Sequence, residues 1–158
     1  MPHLNFILDI AIRLSLALMV GTILGLNRWL HHKSAGIRTH SLVAIGSATA
    51  VMLIGDFQAD NAQSVSRVLQ GLITGLGFLG AGVIIRERSS QKIHGLTTAA
   101  SLWSCALLGA AYGAGQFTLA TAALISILFI LLIGGTLEKF VSRATGVKRD
   151  SEVSMDDD

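Results

Sequence analysis

Residues 93–137 read IHGLTTAASLWSCALLGAAYGAGQFTLATAALISILFILLIGGTL, and these 45 residues contain no Lys, Arg, Asp or Glu. A helix needs about 20 mainly apolar residues to cross a bilayer, so this run is long enough for two crossings. The sequence Gly113-Ala114-Gly115-Gln116 supplies the turn at which the two helices would separate. The stretch therefore predicts two membrane helices, over about residues 96–113 and 117–137.

The remainder of the chain repeats this pattern. Three further runs that lack the same four charged residue types cover residues 14–27, 39–55 and 68–85. Because these segments are apolar on all sides rather than along one stripe, they are typical of helices embedded in lipid. We therefore predict an all-α integral membrane protein with about five transmembrane helices. The predicted spans are residues 6–27, 39–56, 67–85, 96–113 and 117–137.

The composition excludes the main alternatives to a membrane protein. Of the 158 residues, 51% are hydrophobic and 14% are charged, whereas about 25% are charged in an ordinary soluble domain. So few charges would not cover the surface of a water-soluble protein of this size. The single cysteine excludes a disulfide scaffold, and the high apolar content excludes a disordered chain.

The positions of Lys and Arg predict the orientation in the membrane. Ten of these twelve residues fall in the connections after spans one and three and in the C-terminal tail. By the positive-inside rule, these segments are cytoplasmic and the N-terminus lies outside. We expect residues 1–140 to form the transmembrane domain and residues 141–158 to form a short polar cytoplasmic tail. We also expect span one to be an uncleaved helix, since it lacks the basic n-region of a signal peptide.

A few charged residues lie inside or beside the predicted spans, near their outer ends. Asp9 and Arg13 are one helical turn apart in span one, so they can pair on one helix face. Asp56 closes span two and Arg67 opens span three, which predicts a charged cluster at the outer rim. A functional site and an ion-pair network that clamps the helices are equal alternatives for this cluster. Only Asp9, Asp56 and Asp60 offer carboxylates to Mg²⁺ there, and no continuous path for that ion is visible.

Glycine spacing predicts close packing of helices. Pairs of glycines four residues apart occur in spans one, three and four, and each pair lies on one helix face. These pairs are Gly21 and Gly25, Gly71 and Gly75, and Gly109 and Gly113. Packing within one subunit is the favoured role, and contacts between subunits or a pathway are the alternatives. Residues 75–80 match the G-x-G-x-x-G pattern of dinucleotide-binding proteins, but we do not expect them to bind a nucleotide. That fingerprint follows a strand in a soluble unit, whereas these residues lie in a predicted membrane span.

The remaining polar residues predict neither an enzyme nor a metal site. Asn27, His40 and His94 stand at span ends, where polar anchors at the level of the lipid headgroups are expected. Their spacing matches no metal motif, and no cofactor is expected. Cys105 and Trp103 are expected to pack inside span four. No catalytic triad or carboxylate pair is present in the sequence, and the basic loops suit anionic headgroups rather than nucleic acid.

Three segments taken together resemble a known family. They are AGIRTH at residues 35–40, GFLGAG at residues 77–82, and GLTTAASLW at residues 95–103. Their order is similar to that of the MgtC/SapB family of bacterial inner-membrane proteins, over about residues 10–115. The family usually has an acidic residue in a GLERE-like stretch, where this chain has Asn27. The residues that the resemblance singles out are Arg38, Thr39, His40, Arg67, Gln70, Gly77, Gly80, Gly82, Thr97, Thr98 and Trp103.

The resemblance implies a function in the bacterial inner membrane. Family members support adaptation to low magnesium and, in pathogens, survival in the host. The implied role is non-catalytic: the protein would bind and modulate other membrane complexes, such as F-type ATP synthase. The alternative is a small ion channel or a Mg²⁺ transporter subunit. Besides the lipid bilayer, the expected partners are such a complex or a second copy of the chain. For Thr97, capping of span four is the competing structural role.

Overall fold

The computed structural model describes residues 2–55, 61–86 and 93–145. The described residues form five α-helices and one short pair of antiparallel strands. The helices are α1 (Pro2–Leu30), α2 (Ile37–Gly55), α3 (Asn61–Val83), α4 (Leu96–Gly113) and α5 (Phe117–Thr145), and the strands are β1 (Ile85–Arg86) and β2 (Ile93–His94). The predicted all-α class is confirmed. The strand pair, in which Ile85 is opposite His94, was not predicted, because two residues per strand leave no periodic pattern.

The helices are longer than the predicted spans at several ends. Helix α3 begins at Asn61 rather than at residue 67, and α5 continues to Thr145 rather than ending at residue 137. The first five residues of the predicted tail are therefore helical. An uncharged run marks the part of a helix that can lie in hydrocarbon, whereas the backbone hydrogen bonds continue into flanking polar residues. Helix α4 covers the predicted range 96–113.

Three helices among the described residues are long and apolar enough to cross a membrane. By length and composition these segments are Leu4–Leu30, Ile37–Ile54 and Phe117–Thr145. Helices α3 and α4 are not among these three segments. Helix α4 contains ten buried residues, among them Thr98 and Ser101. Because neighbouring helices shield α4 from lipid, small and polar side chains replace large apolar ones along it.

Large apolar side chains cover the outside of the helices. Leu42 of α2 is 71% exposed and Phe78 of α3 is 83% exposed, and Phe129 and Ile130 of α5 are also exposed. A water-soluble monomer rarely exposes so many large apolar side chains. Together with the three apolar helices, this surface identifies a membrane protein. Its orientation in the bilayer stays a prediction.

Helices α1, α2 and α4 form the closely packed part of the unit that ends at Leu124. Gly21 and Gly25 of α1 lie against Ser41 and Ile37 of α2, and Gly109 and Gly113 of α4 lie against Ala44 and Ala48 of α2. From these contacts, α1 runs antiparallel to α2, and α2 runs parallel to α4. We call the end of this bundle near Arg13 the Arg13 end, and the opposite end the Arg28 end. From Ile125 onward, the C-terminal part of α5 forms a separate unit.

The missing glycine side chains allow these close approaches. A Cβ built on Gly21 would lie 2.6 Å from the Cα of Ser41, and one on Gly25 would lie 2.5 Å from the Cα of Ile37. Gly109 and Gly113 approach the backbone of α2 as closely. Gly71 and Gly75 of α3 differ, because a Cβ at either position would meet no described atom within 4 Å. Among the described residues, no close helix contact explains these two glycines.

Candidate functional site

Buried polar side chains from α1, α2 and α4 meet at the Arg28 end. We call this group the Arg28 cluster; its members are Arg28, His40, Thr98, Ser101 and Cys105, each 5% exposed or less. Arg28 lies at the end of α1 and His40 in the first turn of α2. The other three lie on one face of α4, because their spacing of three and four residues matches the helical repeat.

Arg28 is the charged member of the cluster. It is 5% exposed, and its Nη2 donates a hydrogen bond of 2.7 Å to the hydroxyl of Thr98. Its Nε–H is buried and has no hydrogen-bond partner among the described residues. A buried cation is usually paired with an acid or has all its donors satisfied. Arg28 has neither arrangement within the part of the chain that the structure describes.

His40 is fully buried and joins α2 to α4. Its Nδ1 lies 3.0 Å from the carbonyl oxygen of Gly36, and its Nε2 lies 3.0 Å from the hydroxyl of Ser101. Because a carbonyl oxygen only accepts, Nδ1 carries a proton and donates it to Gly36. In the neutral ring Nε2 is then an acceptor for the Ser101 hydroxyl. That hydroxyl also lies 2.9 Å from the carbonyl of Thr98, so its single proton has two acceptors within reach.

The cluster is closed by Cys105. Its Sγ–H donates to the carbonyl oxygen of His40 over 3.2 Å, and the side chain is fully buried. Ser101 and Cys105 are the nucleophile types of many enzymes, but both lie inside the helix packing, where a substrate would have to displace a helix to reach them. The arrangement supports a structural role for His40, Ser101 and Cys105, as hydrogen bonds that hold α4 against α2.

At the Arg13 end, the predicted pair of Asp9 and Arg13 is present. The Nε of Arg13 lies 2.8 Å from Oδ2 of Asp9, an ion contact without hydrogen-bond alignment. The Nη1 of Arg13 also donates 2.8 Å to the carbonyl of Gly113, at the C-terminus of α4. A cation is favoured at this negative end of a helix dipole. Asp56, which was expected in the same cluster, lies outside the described residues, as does Asp60.

A cavity adjoins this ion pair. Its volume is about 500 Å³, and Asp9 and Arg13 line it together with Phe6, Thr49, Met52 and Val65. The walls are mainly apolar, and the Asp9 carboxylate already has the Arg13 guanidinium as its counter-ion. Arg67 is exposed in α3 and does not line the cavity. Among the described residues, no group of three or more His, Cys, Asp or Glu side chains could hold a metal ion.

The structure separates the residues that the sequence motifs singled out. His40 and Thr98 lie in the Arg28 cluster. The exposed members are Arg38, Thr39, Arg67, Gln70, Gly77, Gly82, Thr97 and Trp103, while Gly80 is half-buried and lies against Ala99. Three interpretations are corrected. His40 and Asn27 are buried rather than headgroup anchors; Trp103 is 44% exposed rather than packed; and Gly95, not Thr97, is the N-cap of α4, with no side-chain cap.

Arg28 was not predicted as a site residue, because it stands among the basic residues of the connection after span one. A usable signal was present, because Arg28 follows Gly21 by seven residues and Gly25 by three. These positions share one helix face, and the two glycines mark that face as the one in closest contact with α2. A basic residue on such a face is directed toward the neighbouring helices. Asn27 beside it is also buried.

Comparison with known proteins gives consistent matches. The model of the MgtC family matches residues 14–140. Protein SrpB of Synechococcus elongatus is 42% identical over 135 residues, which cover 79% of this chain and 72% of that protein. Protein MgtC of Brucella abortus is 38% identical over 125 residues, 79% of this chain and 50% of the relative. Protein MgtC of Salmonella typhimurium is 40% identical over 112 residues, 71% of this chain and 46% of the relative.

The chain thus spans about half the length of these two MgtC proteins. No solved structure matches the chain.

Proposed function

The chain belongs to the MgtC family, and we propose on this basis that it supports bacterial growth at low magnesium by binding and modulating another complex of the inner membrane. The proposed role is non-catalytic. The observation that carries it is the open glycine face of α3, which leaves a surface for a helix from outside the chain.

The open face of α3 consists of Gly71, Gly75, Phe78 and Gly82. Their spacings of four, three and four residues place them on one side of the helix. At each of the three glycines a Cβ would meet no described atom within 4 Å, and Phe78 is 83% exposed. Small residues allow the backbone of a second membrane helix to approach closely, and an aromatic side chain can anchor it. The face therefore suits a helix of a partner complex.

The packing of α1, α2 and α4 favours this role over conduction through the bundle. At Gly21, Gly25, Gly109 and Gly113 backbone lies against backbone, so the core leaves no room for an ion path at these levels. The Arg28 cluster lies within the same core, and its hydrogen bonds join neighbouring helices rather than lining a passage. A protein built in this way is better suited to contact a partner than to conduct an ion.

Co-purification tests the proposal. A tagged full chain, solubilised in mild detergent from cells grown at low magnesium, should enrich a membrane complex, and F-type ATP synthase is the first to look for. Gly71→Leu and Gly75→Leu should abolish this enrichment and the growth phenotype, because the side chain blocks close approach of the partner helix. Gly46→Leu is the matched control, since Gly46 in α2 also has no described atom within 4 Å.

Two results would contradict the proposal. One is that no membrane complex is enriched with the wild-type chain. The other is that the α3 variants complement a deletion strain at low magnesium as well as Gly46→Leu does, at equal protein levels.

The second candidate function is a small ion channel or a Mg²⁺ transporter subunit. The cavity of about 500 Å³ at the Arg13 end favours it, because two charged side chains line this space. Against it stands the pairing of Asp9 with Arg13, which neutralises the carboxylate that a cation would need. Purified protein in vesicles would decide between them: a Mg²⁺ flux that depends on the protein and falls in Asp9→Asn would favour transport.

A further inference from the structure

The N-terminus of α4 and the Arg28 side chain bring together positive charge that no acidic side chain among the described residues compensates. The first amides of a helix have no acceptor within the helix, and the helix dipole adds a partial positive charge there. Gly95 caps α4 without a side-chain hydrogen bond. The guanidinium of Arg28 contacts the same turn through its 2.7 Å bond to Thr98. A cation at this end of a helix is unfavourable, because the guanidinium and the helix N-terminus are both positive and repel each other. Both attract negative charge.

The Arg28 guanidinium is also incompletely satisfied. The residue is 5% exposed, and its Nε–H has no hydrogen-bond partner among the described residues. Within the described part of the unit that ends at Leu124, the only acidic side chain is Asp9, which pairs with Arg13 at the opposite end. Burying an arginine with an unused donor and no counter-charge is costly. An anion bound at this turn would supply the counter-charge.

We propose that Arg28 and the N-terminus of α4 bind a phosphate group, which either a phospholipid headgroup or soluble phosphate can supply. A phosphate accepts paired hydrogen bonds from the planar guanidinium and single ones from helix amides. The first turn of α4 is open on the side of Leu96 and Thr97, which are exposed. Arg28 is 5% exposed and reaches this turn from within, through its bond to Thr98. Trp29, next to Arg28, is 60% exposed, a position typical of a headgroup-level anchor, and phospholipid phosphates lie in that layer. This site is independent of the partner surface on α3.

Binding to delipidated full chain in detergent tests the site. The probes are phosphatidylglycerol, diacylglycerol with the same acyl chains, and inorganic phosphate, with retention measured by native mass spectrometry and by the shift of the unfolding temperature. We expect phosphatidylglycerol to bind at least about tenfold more tightly than diacylglycerol, because diacylglycerol cannot accept the charge-assisted hydrogen bond. Stabilisation by inorganic phosphate alone would identify soluble phosphate as a source; stabilisation by the lipid only would identify the headgroup.

Substitutions assign the effect to Arg28. Arg28→Gln should remove the preference for phosphatidylglycerol over diacylglycerol, and Thr98→Val should weaken it, because the hydroxyl that positions the guanidinium is lost. Arg38→Gln is the matched control, since Arg38 is an exposed arginine near the same end. If Arg28→Gln does not fold, Arg28→Lys keeps the charge but not the planar donor pair, and it should also reduce the preference.

Three results would overturn the proposal. The first is that neither phosphate probe binds better than diacylglycerol. The second is that Arg28→Gln, Arg28→Lys and Thr98→Val retain phosphatidylglycerol as well as Arg38→Gln does. The third is that phosphate binds only after Glu87→Gln, because an acid of the chain would then be the counter-ion of Arg28; Glu87 lies outside the described residues.

Discussion

Glycines at similar helical positions should respond to the same substitution with opposite signs. Gly109 of α4 faces the backbone of α2, and a Cβ there would lie 2.8 Å from both Cα and C of Ala44. Gly75 of α3 is also mid-helix, but a Cβ there would meet no described atom within 4 Å. Replacing each by alanine adds the same methyl group. The substitutions differ only in what that methyl group contacts.

The structure sets the expected magnitudes. Ordinary van der Waals contact begins at 3.4 Å, so Gly109→Ala requires α2 and α4 to separate by more than half an ångström. The opposing atoms are backbone, so no rotamer change relieves the overlap, and overpacking of this kind costs about 2–3 kcal/mol. Alanine is better than glycine in a helix by about 0.5–1 kcal/mol. Gly109→Ala should therefore lose about 1–2.5 kcal/mol net, and Gly75→Ala should gain about 0.5–1 kcal/mol.

Reversible unfolding in mixed micelles measures these changes. The purified full chain is titrated with increasing SDS, and helix content is followed by circular dichroism. We expect the midpoint to fall for Gly109→Ala and to rise for Gly75→Ala, with Gly46→Ala as a second open-position control. If both substitutions shift the midpoint in the same direction, or if Gly109→Ala stabilises, the close contact between α2 and α4 is not the determinant described above.

Three further predictions concern single residues of the unit that ends at Leu124. His40→Ala should reduce the free energy of unfolding by about 2–3 kcal/mol, because Ser101 loses a buried hydrogen-bond partner. Ser101→Ala should reduce it by about 1 kcal/mol. The SDS titration compares the two variants. Gly115→Ala should cost about 1–2 kcal/mol relative to Gly46→Ala in the same titration, since Gly115 has φ +75° and its Cβ would lie 3.1 Å from Arg13 Nη1. Because its thiol is fully buried, Cys105 should not react with maleimide in the folded protein. It should react fully once SDS has unfolded the protein, as measured by mass spectrometry. Rapid labelling of the folded protein would contradict the packing of α4.

Much of the fold could be predicted because lipid imposes simple rules. A charge-free run has to be helical in a bilayer, so four such runs, the longest of them divided into two spans, predicted five helices, and the glycine-rich turn placed the end of α4 at Gly113. The helix ends beyond the hydrocarbon, such as Asn61 and Thr145, were not predictable from charge alone. The β1–β2 pair has no periodic signal of its own.

The candidate site was harder to predict, because a motif does not show which of its side chains point inward. Arg38, Thr39 and His40 are consecutive, yet only His40 is buried. The same holds for Thr97 and Thr98, of which Thr98 alone contacts Arg28. A rotation of 100° per residue separates such neighbours, and the direction of the protein interior depends on the other helices.

The sequence by itself determined that the protein is embedded in a membrane, that it is helical and which family it belongs to, because each depends on local composition or on the order of motifs. Only the tertiary structure decided how the glycines and the buried charge are used. Gly25 and Gly75 are equivalent in the sequence, but one lies against Ile37 and the other is open. Arg28 follows a predicted span as any basic flank does, but antiparallel packing places it against the first turn of α4. These roles depend on contacts between residues up to 70 positions apart, and no local pattern encodes which helix will be the neighbour.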